Sequence, residues 1–185
     1  MFTFTHPNSL RRIFARSALV LTVFFCLSVV FLITGCDSNS DADDGKNIEG
    51  TLPDGLLGKW VSGVGDWFGI TRSSGTETIE YDDDYDGSGN YEGIVRYVSN
   101  YDSKTGVIII EYTTPSLFSD PAKNYHAIYY LNLTSGIVEL SNTWDPSASD
   151  WNADTVTLDE AVNKFTKKNM GNYMDLDMST PYTKS

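Results

Sequence analysis

The residues of this chain best spaced for chemistry are Asp82, Asp84 and Asp86, followed at once by Gly87. Alternating carboxylates closed by a glycine form the first half of a calcium loop. Calcium takes about six to eight oxygens, and glycine at the sixth place permits the sharp turn. Ser88 and Asn90 could add oxygens at the seventh and ninth places. The twelfth place calls for a bidentate glutamate but holds Gly93, with Glu92 one residue early. The pattern therefore leaves two readings open, a weak calcium site or a solvated acidic hairpin loop. No other cofactor is implied.

The second chemical resource is aromatic. Tyr97, Tyr112, Tyr129, Trp144 and Trp151 are candidate walls of a ligand site, since pockets favour aromatic sides with few polar groups. Filling a core is the competing role for the same rings. Trp144 and Trp151 bracket Asp145-Pro146-Ser147-Ala148-Ser149-Asp150, a loop signal, and loop tryptophans point to binding more than core ones do. His126 is the sole histidine beyond His6. It reads as a strand histidine with a satisfied hydrogen bond. One histidine without cysteine builds no zinc site of the usual kind, and no nucleophile turn of the G-x-S-x-G type is present. No catalytic residue is assigned.

These groups sit among short stretches rich in Tyr, Ile, Val, Thr and Trp, which suit a pleated, half-buried surface. Seven strands are expected: 56–62, 66–72, 77–81, 91–101, 107–113, 125–133 and 137–142. Turn signals separate them, Ser73-Ser74-Gly75-Thr76 and Thr134-Ser135-Gly136 among them. In the fourth, alternation puts Gly93, Val95, Tyr97, Ser99 and Tyr101 on one face. A helix is expected to begin after Thr157, an N-cap with Glu160 at capping-box spacing. Leu158, Ala161, Val162 and Phe165 form its apolar stripe, Lys164, Lys167 and Lys168 lie toward its end, and Gly171 closes it. Tyr173–Met178 alternates and is expected to supply an eighth strand.

Ahead of this domain lies a different kind of sequence. Arg11, Arg12 and Arg16 precede an apolar run from Ser17 to Leu32, 16 residues long. That is short for a membrane-spanning helix, which needs about 20, and has the marks of a secretory signal. It ends in Ile33-Thr34-Gly35-Cys36. These four residues resemble the lipobox of bacterial lipoproteins. The resemblance implies cleavage before Cys36 and attachment of lipid there, a diacylglycerol thioether and acyl chains such as palmitate. Two or three chains hold a protein at a membrane where one binds only marginally. Cys26 would leave with the signal, so the processed chain could form no disulfide. Removing three of the 13 basic residues leaves 10 against 25 Asp and Glu, a formal charge of −15. Such a surface argues against nucleic acid or anionic lipid as a partner. Residues 36–54 are polar and read as a flexible tether, leaving 55–185 as one domain.

Eight antiparallel strands avoid exposed edges by closing into an up-and-down barrel, and that all-β fold with one C-terminal helix is expected, a β-sandwich being the alternative. Gly58-Lys59-Trp60 resembles the G-x-W that opens lipocalins, as does a late helix followed by a last strand. The resemblance implies a calyx for a small hydrophobic ligand. The lipobox, the Asp/Ser-rich tether, the same G-x-W and the ending Asn169-Met170-Gly171-Asn172-Tyr173 with Thr180-Pro181-Tyr182-Thr183-Lys184 also resemble small lipoproteins of spirochaetes, treponemes especially. The expected protein is thus a non-enzymatic, lipid-anchored binding module at the outer membrane, the cell surface or the periplasmic face of the inner membrane. The alternative is a surface interaction protein, an adhesin or antigen that meets a host or surface protein through its loops. A hydrolase built on His126 or paired carboxylates is the weakest reading.

Overall fold

The computed structural model describes residues 47–148, 151–174 and 181–185. The signal, Cys36 and the tether as far as residue 46 lie outside the described residues. Eight strands run in chain order: β1 (Gly58–Ser62), β2 (Trp67–Ser73), β3 (Thr76–Asp82), β4 (Tyr91–Asn100), β5 (Gly106–Thr114), β6 (Tyr125–Leu131), β7 (Ile137–Asn142) and β8 (Pro181–Lys184). Each is antiparallel to its sequence neighbour, and β8 pairs with β1, so the sheet closes into the expected up-and-down barrel. Two short helices, α1 (Leu158–Lys164) and α2 (Met170–Tyr173), intervene between β7 and β8.

Local chemistry explains the turns. Ser74 and Gly75 link β2 to β3 with φ of 51° and 81°, the left-handed pair that a two-residue hairpin needs to match strand twist. The Thr157 hydroxyl accepts from the Glu160 amide, and the Glu160 carboxylate accepts in turn from the Val156 amide. This reciprocal cap starts α1.

Apolar side chains divide into two layers. Trp60, Phe68, Ile70, Ile79, Val98, Ile108, Ile110, Ile128, Tyr130 and Leu140 fill the barrel interior. Val107, Ile109, Ala127 and Tyr129, of opposite parity on β5 and β6, form an outer layer with Ala161 and Phe165 of α1. Strands covered on both faces lose alternation and become continuous apolar runs. That is why Val107-Ile108-Ile109-Ile110 and Ala127-Ile128-Tyr129-Tyr130 carry apolar or aromatic residues throughout. One end of the barrel is plugged. Leu52, Leu56 on the 3₁₀ turn Asp54–Leu56, and Leu133 close over Trp60. The Trp60 indole donates to the Leu56 carbonyl at 2.7 Å, and the Lys184 ammonium lies 5.2 Å from its ring.

Four expectations need correction. The closing strand is Pro181–Lys184 rather than Tyr173–Met178: Tyr173 ends α2, Met174 makes only an isolated bridge to Thr143, and 175–178 lie outside the described residues. The helix stops at Lys164, with Phe165 as its C-cap. Lys167 and Lys168 follow it, and Gly171 lies inside α2 instead of closing α1. In β4 the alternation inverts at a bulge between Val95 and Tyr97. The extra residue, Arg96, turns Tyr97 onto the outer layer while Val95 stays inside. Finally, residues 47–54 are held rather than free. The Asn47 amide donates to the Val162 and Phe165 carbonyls at the end of α1. The Gly50 amide donates to Val98 O, Arg72 pairs with Asp54, and Leu52 is buried.

Replacing Trp60 by alanine removes the plug's largest side chain and one hydrogen bond. The expected loss is about 3–5 kcal/mol of unfolding free energy, measured by urea denaturation. A loss below about 1 kcal/mol would show that the plugged end does not hold the barrel together.

Candidate functional site at the open end of the barrel

Opposite the plug, the barrel interior changes character. A belt of rings runs from strand to strand: Tyr182 on β8, Phe68 on β2, Tyr81 on β3, Tyr91 on β4, Tyr112 on β5 and His126 on β6. Successive centroids lie 4.7–5.7 Å apart. Aromatic pairs at such spacing contribute about 0.5–1.5 kcal/mol beyond their buried area. Parity puts every member inward, and hairpin register sets neighbours level, as Phe68 opposite Tyr81 and Tyr81 opposite Tyr91 show.

Above the belt opens a pocket of about 260 Å³, near the lower end of the roughly 300–1,000 Å³ usual for small-molecule sites. Tyr81, Tyr91, Tyr112, His126, Leu140 and Tyr182 form its inner wall. The loops at that end complete it: Asp66 between β1 and β2, Asp83 and Gly89 between β3 and β4, Ser116, Phe118 and Ser119 between β5 and β6, and Trp144 with 151–154 after β7. Trp144 and Trp151 meet edge to face at 6.4 Å. Trp151 holds φ of 60°, a left-handed conformation that costs a bulky residue about 1–2 kcal/mol. The tight turn is retained by the Trp151 carbonyl accepting from Asp145, and Lys164 ties the segment to α1 through Asp145 Oδ2 at 3.5 Å and Ala153 O at 2.8 Å.

One wall is a polar network. His126 Nδ1 lies 2.7 Å from Asp154 Oδ1, and both side chains are under 10 % exposed. A carboxylate only accepts, so Nδ1 is the donor in this bond. His126 Nε2 is 3.1 Å from Asn142 Oδ1, the oxygen that also accepts from the Tyr91 hydroxyl at 2.7 Å. Asp154 Oδ2 accepts from Tyr112 at 3.2 Å and Asn152 at 3.3 Å. Burial pushes the Tyr91 phenol well above its ordinary range, and burial with the nearby Asp154 charge does the same to Tyr112. The rim is acidic. The Asp66 carboxyl is raised above its ordinary value by partial burial and by repulsion from Asp83, Asp84 and Asp82.

The sequence candidates separate. Tyr112, Trp144 and Trp151 come together at the pocket, whereas Tyr97 and Tyr129 lie in the outer layer against α1. Asp82 and Asp86 spend oxygens on backbone amides two residues on, and Asp83 caps Tyr85, Gly87 and Gly89. Among the described residues no three His, Cys, Asp or Glu side chains are grouped to hold a metal ion. Asp66, Tyr81, Tyr91, Tyr182 and Asp154 belong to the site without having stood out in the sequence. Strand parity was the signal available for Tyr81 and Tyr91. Nothing in the order of residues links Asp154 to His126, 28 positions away. No family model matches the chain, and no curated protein or solved structure is significantly similar to it.

Replacing His126 by alanine leaves the Asp154 charge buried without its strongest partner. The expected cost is about 3–5 kcal/mol. The double variant His126→Ala/Asp154→Ala is expected to recover part of it in a double-mutant cycle. Additive effects in denaturant unfolding would show that the two groups are not coupled.

Proposed function

We propose that the protein is a lipid-anchored, extracytoplasmic binding protein that takes a small ligand in the open end of its barrel. The observation that carries this reading is the pocket itself. It is a concavity of about 260 Å³ above an aromatic belt, in a barrel otherwise packed with its own side chains. Aromatic walls with a few fixed polar groups suit small organic molecules. The attachment half of the proposal rests on Ile33-Thr34-Gly35-Cys36 and the apolar run before it. A binding role is favoured over hydrolysis because His126 Nε2 faces Asn142 Oδ1, and among the described residues no hydroxyl or thiol is bonded to either ring nitrogen.

A second reading has one observation in its favour. Leu117, Phe118 and Trp151 are 83 %, 72 % and 58 % exposed around the same mouth, an apolar rim that a surface protein could meet.

Titration with 2-naphthol, a neutral aromatic probe, is expected to quench the rim tryptophans along a saturable 1:1 curve. Tyr112→Trp, which adds bulk at the wall, should weaken binding at least tenfold. A linear, unsaturable response in the folded protein would refute the pocket reading. Loss of macromolecular partner binding on Trp144→Ala, with naphthol titration unaltered, would favour the rim reading. For attachment, Cys36→Ser should move the protein from the detergent phase to the aqueous phase in a phase-partition assay. Unchanged partitioning would remove the lipid anchor from the proposal.

A further inference from the structure

The charge of the pocket says more about its ligand than its size does. Asp66, Asp83 and Asp154 line it, and among the described residues no lysine or arginine does. Lys123 and Lys164 touch Asn152 and Ala153 of the mouth segment, but neither lines the pocket. Asp154 accepts a hydrogen bond from His126 within the wall. The Asp83 carboxylate accepts from three loop amides. Asp66 forms neither an ion pair nor a side-chain hydrogen bond to another residue among the described residues. Its neighbours Asp83 and Asp84 add negative potential to the same rim.

Resting on the reading of this pocket as a ligand site, we propose that its ligand is a small organic ammonium ion. The positive charge would lie against Asp66 and the rim carboxylates, and the carbon substituents against the Tyr81, Tyr91 and Trp144 rings. Two physical terms favour such a cation over a neutral molecule of the same shape. Aromatic rings attract a cation placed within about 6 Å of their faces. Carboxylates at the mouth of a low-dielectric cavity concentrate field lines and raise the local cation concentration. An anionic ligand meets the opposite field and finds no lysine or arginine in the wall among the described residues.

Choline and 3,3-dimethyl-1-butanol separate charge from shape, since the alcohol replaces the quaternary nitrogen by carbon. Calorimetric titration of the full chain in non-ionic detergent is expected to show choline binding at least tenfold tighter than the alcohol. Asp66→Asn should lower choline affinity at least fivefold and narrow the gap between the two probes. Equal binding of the two, or tighter binding of the alcohol, would overturn the charge preference and leave the pocket as a ligand site. So would naphthol binding without choline binding. Failure of all three probes in the folded protein would overturn the pocket reading and this inference with it.

Discussion

Closure of the sheet through a strand of four residues is the constraint on which the rest depends. β8 contributes only Pro181 to Lys184, yet Tyr182 pairs with Ser62 of β1 and Val138 of β7. Without that bridge β1 and β7 would each present a row of unpaired amides and carbonyls. With it, the interior becomes a bounded volume whose contents are set by strand parity. Tyr182 also joins the aromatic belt, packing 5.3 Å from Phe68. One residue therefore closes the backbone ladder and completes the wall of the pocket.

The bounded interior is graded along its length. At one end it is aliphatic and sealed over Trp60; at the other it turns aromatic, then polar. Burying His126, Asp154 and the Tyr91 hydroxyl together is tolerable because each has a hydrogen-bond partner within the network. The outer layer under α1 has a separate role. It removes the second face of β5 and β6 from water and anchors the segment that carries Trp144 and Trp151 through Lys164. Helix, mouth and barrel wall are thus mechanically connected.

How much of this is legible in the sequence follows from where the signals are local. Seven strands could be read because turn residues punctuate them and β-branched or aromatic residues fill them. The eighth could not. Tyr173–Met178 offers a better alternation than Pro-Tyr-Thr-Lys, and a four-residue strand opening with proline carries almost no pattern. Inward and outward faces were readable only where one face is wet. On β6, Tyr129 and Tyr130 are chemically alike, and parity alone sends Tyr130 inside and Tyr129 under α1. The bulge at Arg96 leaves no mark in composition, so Tyr97 could not be placed. The aromatic content of the site was visible; the Asp154–His126 pair depends on a loop returning over the mouth, which no local pattern encodes.

The strap formed by residues 47–54 has a directional consequence. It joins the barrel near the end of α1 and runs to the plug, fastened through Asn47, Gly50 and Leu52. Force transmitted along the chain from its N-terminal side reaches the molecule at the sealed pole. The same fastening lets tension applied at residue 47 load the strap before it loads the strands around the open end.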